Sequence, residues 1–198
     1  MIPARLTKAL TRRSALSVKP QLLPQSTIVN YQRRQFSQTR PALTSTLPVQ
    51  IHGKGSGTSQ TITVQNKPYT FQTDTYTTLG GNDAHPSPVA YSLASLGSCN
   101  QVTGSVVARD HGIKVGQWDV EVEGQLPTDV LVGGKQGNPN WVSVELKIHV
   151  QTDLDVATEE GRKKWDFFVG EVERRCPITQ LFKLSGVRYE SVWVNERL

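Results

Sequence analysis

An α+β fold, with antiparallel sheets packed on buried helices in the order βββ-α-ββ-αα-β, is what this sequence predicts. Three observations carry it. Short segments with period-2 alternation lie on both sides of residue 87. A long, charge-poor stretch at helical spacing runs from Ser87 to Gly112. A second, amphipathic stretch ends at the proline that follows Cys176.

The elements follow in order. Pro48 to Lys54, Thr61 to Gln65 and Tyr69 to Thr73 alternate as strands, linked by the Gly/Ser stretch Gly53 to Ser59 and by Asn66-Lys67-Pro68, and are expected to form an antiparallel meander. After a loop from Leu79 to Pro86, Ser87 is an N-cap residue, Pro88 fits the first helical position, and Gly112 can supply a left-handed cap. Between them Leu93, Leu96, Thr103, Val106 and Val107 recur at helical spacing. The same helix carries Ala94, Ser95, Gly97, Ser98 and Gly104 and has no charge before Arg109, so it is expected to be largely buried, with a neighbour packed close on its small residues and its core completed across a two-fold interface.

Trp118, Val120 and Val122 alternate with Asp119, Glu121 and Glu123, and Val142 to Val150 alternate with Ser143 to Gln151, giving two strands with one dry and one wet face. The Gly-containing connection Pro127 to Asn140 is long for a hairpin and is expected to be mobile. A second helix is expected from about Val156 to Arg175, with Trp165, Phe168, Val169 and Val172 as its apolar stripe and Cys176 continuing it. Pro177 disfavours helical geometry at Cys176 and opens a short helix to Leu184, which Gly186 closes; Val187 to Asn195 is the last strand.

Of 198 residues 36% are apolar and 20% charged, and the most apolar stretch, Val89 to Val107, is interrupted by Ser92, Ser95, Ser98, Asn100 and Gln101. No run reaches the roughly 18 to 20 apolar residues of a membrane span. The formal charge of +5 is concentrated at the N-terminus: residues 1 to 73 contain no Asp or Glu, and seven of the 22 basic residues lie in the first 36. The remainder carries 15 basic against 17 acidic residues, which removes the main support for phosphate binding. Neither a nucleic-acid nor a membrane partner is expected. The acid-free N-terminus, with Ile2, Leu6, Leu10 and Leu16 set among Arg5, Lys8, Arg12 and Arg13, reads as a mitochondrial transit peptide. The alternative is a disordered basic tail. Residues 1–45 are thus assigned to targeting and linker, residues 46–198 to one folded domain, and the protein to the mitochondrial matrix.

Cys99 and Cys176 are the candidate reactive groups. Cys176 sits at the start of a helix, where free N–H groups and the adjacent Arg174 and Arg175 would favour a thiolate; the alternative is that both thiols act only as small buried hydrophobes. The histidines at 52, 85, 111 and 149 lack chelate spacing, no G-x-S-x-G elbow occurs, and the glycines at 53, 55 and 57 precede no helix. Metal binding, serine hydrolysis and nucleotide binding are therefore disfavoured, and no cofactor is expected.

The run Pro86-Ser87-Pro88-Val89-Ala90-Tyr91-Ser92-Leu93-Ala94-Ser95-Leu96-Gly97-Ser98-Cys99 resembles the first-cysteine helix of the OsmC/Ohr family, and Arg175-Cys176-Pro177-Ile178 resembles its second-cysteine motif. The resemblance spans roughly residues 48 to 195, with the two cysteines 77 positions apart. It implies an OsmC-like intertwined homodimer whose active sites draw on both subunits, and a thiol-dependent reductase of organic hydroperoxides. Cys99 would be the peroxidatic thiol and Cys176 the resolving one, with a dithiol partner, a lipoylated or thioredoxin-like protein, as reductant. The family's activating Arg and Glu have no counterparts: no Arg occurs between Arg40 and Arg109, and Val89-Ala90-Tyr91 contains no carboxylate. Lys54 lies near where the Arg is expected and is the candidate cation for Cys99, without the planar two-pronged donor. The alternative function is a non-peroxidase member of the fold that binds a small apolar ligand in the dimer cleft.

Arg33-Arg34-Gln35-Phe36-Ser37 resembles a matrix processing site with the cut after Phe36. N-terminal sequencing of the native protein is expected to begin at Ser37 or a few residues beyond, and a start at Met1 or Ile2 would remove the targeting assignment.

Overall fold

The computed structural model describes residues 45–198; the targeting segment and its processing site lie outside the described residues. Strands β1 (Ile51–Ser56), β2 (Ser59–Val64) and β3 (Thr70–Thr73) form the expected antiparallel meander in the order β1-β2-β3. The turn between β1 and β2 is shorter than the Gly/Ser stretch implied. Ser56 pairs with Ser59, so only Gly57 and Thr58 form the loop, and Gly57 at φ +60° occupies the first central position, where a type II′ turn needs glycine. Gly53 and Gly55 belong to β1 itself, paired with Ile62 and Gln60 of β2; a Cβ on Gly53 would meet the Gln60 side chain and one on Gly55 the Ser59 carbonyl oxygen.

After a 3₁₀ turn at Thr77–Leu79, helix α1 runs from Pro88 to His111. Its start is the one read from the sequence: the Ser87 hydroxyl accepts the Ala90 N–H at 3.2 Å, and Pro88 holds the first position, while Gly112 at φ +68° forms the left-handed cap. Asp74, fully buried at the end of β3, organises the approach to this helix. Its carboxylate accepts the Thr58 hydroxyl at 2.8 Å and the N–H groups of Asn82 and Ala84, and these bonds, that of Thr58 foremost, hold it well below the usual carboxylate range.

Strands β4 (Val115–Gln125) and β5 (Ser143–Thr152) pair antiparallel. Their connection contains a short helix, α2 (Thr128–Leu131), which the glycines at 133, 134 and 137 concealed in the sequence. Val142 stands before β5 and is exposed, but the alternation expected of the strand holds beyond it: Val144, Leu146, Ile148 and Val150 are fully buried, and Glu145, Lys147 and His149 face out. Helix α3 (Glu159–Arg175) begins three residues later than its apolar stripe implied, since the Thr158 side chain accepts the Gly161 N–H and Asp155 to Thr158 form the preceding turn. Helix α4 (Pro177–Leu184) follows at once, and Gly186 at φ +83° ends it.

Strand β6 (Arg188–Arg197) departs from the antiparallel expectation. It lies beside β5 in parallel register, Ser143 opposite Arg188 and Thr152 opposite Arg197, so the second sheet, β4-β5-β6, is mixed. The reason is the connection: the α3 and α4 pair returns the chain to the end of the sheet where β5 began, and a parallel neighbour requires such a crossover. The α+β class stands, with helices on one face of this sheet.

The core joins the inner face of β5 to Leu96, Val107 and Ala108 of α1, Phe168 and Val172 of α3, and Phe182 of α4. Trp118, Trp165, Phe168 and Trp193 form an aromatic cluster with ring centroids 5.7 to 6.5 Å apart. The small residues of α1 have their close neighbour: a Cβ on Gly97 would stand 3.1 Å from Val120, and one on Gly104 would overlap the Trp118 ring. Only one face of α1 is covered within a single chain. Ala94, Ser98, Gln101, Val102 and Ser105 lie on an exposed face, with Val102 64% accessible.

Two glycine-to-alanine changes are expected to act in opposite senses. In Gly104→Ala the ring of Trp118, fixed by Phe168 and Trp193, has nowhere to go; overpacking of about 1 to 3 kcal/mol outweighs a helix-propensity gain of about 1 kcal/mol. Gly170→Ala in α3 meets nothing within 4 Å and is expected to stabilise by about 0.5 to 1 kcal/mol. Thermal unfolding of both variants checks the pair of signs.

Candidate active site

Cys99 and Cys176 are brought together by elements whose ends the sequence marks clearly. Cys99 lies in the middle of α1, half-buried, and α3 and α4 both pack on α1. Cys176 separates α3 from α4. The proline after it holds it at φ −73°, ψ 112°, outside the helical region, while its N–H still closes the last turn of α3 on Val172 O at 2.9 Å. Its side chain is therefore the N-cap of α4, fully buried, and its sulfur accepts the Thr179 N–H at 3.4 Å. Both thiols are free, and they lie close enough to perturb each other's acidity.

Two polar residues beneath the sulfurs, not found by sequence reasoning, lock α1 to α4. Asn100 and Thr179 are both fully buried. The Asn100 Nδ2 donates to Leu96 O at 2.8 Å and to Thr179 Oγ1 at 2.9 Å, and the Thr179 hydroxyl lies 3.2 Å from Asn100 Oδ1. An Asn on the buried side of an apolar helix was the only available signal, since its partner stands 79 residues away.

The two thiols differ in acidity. Burial pushes the Cys99 thiol up, as does its hydrogen bond toward Cys176; the Ile178 N–H and the Thr103 hydroxyl oppose this more weakly. Burial acts on Cys176 in the same sense, but donors outweigh it: the Thr179 hydroxyl and N–H, then the Cys99 thiol and the Ile178 N–H, hold Cys176 below the ordinary thiol range. The arginines expected to assist are occupied elsewhere. Arg174 pairs with Glu171 at 2.8 Å and Arg175 with Asp110 of α1 at 2.9 Å. The N–H part of that expectation holds, and the arginine part is corrected.

Lys54 is not brought to Cys99 within one chain. It lies exposed on β1, on the rim of a concavity of about 600 Å³ formed by the meander itself with Ile51, His52, Thr61 and Thr63. That concavity contains neither thiol.

The model of a family described as "OsmC-like protein" matches residues 80–190. No curated protein sequence matches the chain. Among solved structures, the chain is similar to an OsmC-like protein from Mycoplasma pneumoniae at 18% identity and TM-score 0.58, over 75% of this chain and 97% of that one. It is similar to an organic hydroperoxide resistance protein from Elizabethkingia anophelis, with thiocyanate bound, at 16% identity and TM-score 0.55, over 77% and 99%. A Legionella pneumophila organic hydroperoxide resistance protein OsmC matches at 12% identity and TM-score 0.55, over 76% and 99%. These likenesses establish the fold.

Stoichiometric peroxide is expected to convert the two free thiols into a single intramolecular Cys99 to Cys176 disulfide. Peptide mapping reads this directly, and recovery of both thiols unmodified would favour two inert buried cysteines.

Proposed function

Because this chain belongs to the OsmC-like family, we propose that it is a thiol-dependent peroxidase that reduces organic hydroperoxides in the mitochondrial matrix through a sulfenate and disulfide cycle. The observation that carries the reading is the convergence of a half-buried Cys99 and a fully buried Cys176 where α1 meets the start of α4, beside the Asn100–Thr179 bond. The more accessible sulfur meets the peroxide and is oxidised to a sulfenic acid, and the buried one waits within reach to condense with it. A dithiol protein, lipoylated or thioredoxin-like, then reduces the disulfide by exchange.

The uncovered face of α1 supports a homodimer. Ala94, Ser98 and Ser105 would let another backbone approach closely, and Val102, exposed within one chain, would gain burial against a second copy. Lys54 takes the role expected of it only across that interface, where the meander of the second copy would carry it to the thiols.

The alternative, a non-catalytic member of the fold that binds a small apolar molecule, is favoured by a groove of about 420 Å³ between α1 and β4, lined by Ala90, Leu93, Gly97, Val120 and Val122. Steady-state consumption of an organic hydroperoxide by purified protein with a dithiol separates the two readings. Peroxidase action is expected to require both cysteines, to fall severalfold in Lys54→Ala and to survive Lys54→Arg, with light scattering giving twice the chain mass. Absence of turnover with any dithiol, together with saturable binding of an apolar probe, would establish the alternative.

A further inference from the structure

The two sulfurs are not equally open to a second molecule. Cys99 is half-buried on α1, whereas Cys176 is fully buried and each of its polar atoms has a partner. The Cys176 N–H closes α3 on Val172 O at 2.9 Å, its carbonyl oxygen accepts the Gln180 N–H at 3.1 Å, and its sulfur accepts the Thr179 N–H at 3.4 Å. The corner that carries it is clamped as well. Glu173 of α3 meets Lys183 of α4 at 2.7 Å and accepts the Ser191 hydroxyl of β6, while the Gln180 side chain donates to the Glu173 carbonyl oxygen at 2.9 Å. Arg175 ties the end of α3 to Asp110 of α1 at 2.9 Å. Glu173 and Lys183 stand on either side of Cys176-Pro177, so α3 and α4 cannot part at this corner without breaking their pair. With side chains 17% and 37% exposed, the pair is less screened than Lys163–Glu159 on the surface of α3, at 74% and 83%.

We propose that the dithiol reductant attacks the Cys99 sulfur of the disulfide and expels Cys176 as the leaving group, with Glu173 and Lys183 as the positioning residues that enforce this choice. The assignment rests on the disulfide cycle proposed above and names the sulfur that its partner engages. Thiol–disulfide exchange proceeds through a mixed disulfide, so the sulfur attacked is the one that a second molecule can reach. The leaving sulfur already has its acceptor environment: charge forming on Cys176 falls at the start of α4, against the Thr179 N–H.

The steps balance. The first thiol of the reductant loses its proton to water, and its sulfur attacks the Cys99 sulfur. A bond forms between them, the Cys99–Cys176 bond breaks, and its electron pair leaves with Cys176, which takes up a proton. The second thiol of the reductant, likewise deprotonated, attacks the reductant's own sulfur in the mixed disulfide. Cys99 departs as a thiolate and is protonated in turn. The protein gains two electrons and two protons, and the dithiol loses two of each in becoming a disulfide.

The test oxidises the full chain with diamide, so that no peroxide enters, and mixes it with glutathione, a monothiol that stops at the mixed disulfide. Samples are quenched in acid over time, the released thiol is blocked with N-ethylmaleimide, and peptide mapping reads both cysteines. Glutathione is expected on Cys99 and N-ethylmaleimide on Cys176, about tenfold or more in excess over the reverse product. Lys183→Gln is expected to raise the share of the reverse product severalfold, and Lys183→Arg to restore the parent ratio; a general loosening would speed both products without shifting their ratio. Equal labelling, an excess of the reverse product, or thiols that diamide leaves free overturns the assignment, and the parent ratio decides it even where a variant fails to fold. A Lys183→Gln ratio equal to that of the parent removes the clamp from it. A chain that passes and consumes no hydroperoxide would sink the peroxidase reading alone, and one that consumes hydroperoxide while glutathione lands on Cys176 would sink the assignment alone.

Discussion

The reciprocal hydrogen bonding of Asn100 and Thr179 is the interaction on which the site depends. Neither residue is exposed, and each satisfies the other across two elements that the chain separates by β4, β5 and α3. Removing one partner leaves a buried polar group unpaired, which costs about 1 to 3 kcal/mol, whereas an apolar pair would hold the helices together with less directional control. What the polar pair adds is register. Asn100 follows Cys99 directly, and Thr179 is the residue whose N–H meets Cys176, so fixing the pair also fixes the sulfurs.

A second consequence is electrostatic. Charge-assisted stabilisation of a thiolate usually comes from a basic side chain, but the arginines nearest in sequence are held by Glu171 and Asp110. The second of these pairs ties the end of α3 to the end of α1. Arg175 joins two helices, Arg174 pairs within its own, and the sulfur is left to neutral donors, which act only at contact distance and in one direction. Such a site is sensitive to small shifts of α4 in a way that a site beside a mobile guanidinium is not.

Much of this was legible in the sequence because it depends on local chemistry. Ser87-Pro88 and Gly112 delimit α1, Pro177 and Gly186 delimit α4, and the alternation in β4 and β5 gives their faces without any knowledge of partners. The turn at Gly57-Thr58 and the start of α3 lie a few residues from where composition alone puts them, because pairing and capping override composition there. What sequence could not supply were relations between distant segments: the parallel seat of β6, the occupation of Arg174 and Arg175, and the partner of Asn100. The position of Lys54 belongs with these, since β1 has its contacts in β2 and none of the local patterns says how far the meander stands from Cys99.

The linkage between the two sulfurs also bears on how the molecule holds together over time. Cys99 and Cys176 are 77 positions apart and enclose β4, β5 and α3, so a bond between them closes a long loop in the unfolded chain. In the chain-entropy account this would stabilise the oxidised form by about 4.5 kcal/mol relative to the dithiol. Were that bond to form, the two redox forms would be proteins of unequal durability, and the reduced form, ready to react, would be the one more open to unfolding and proteolysis. Oxidant supply would set the lifetime of the polypeptide as well as its chemical state.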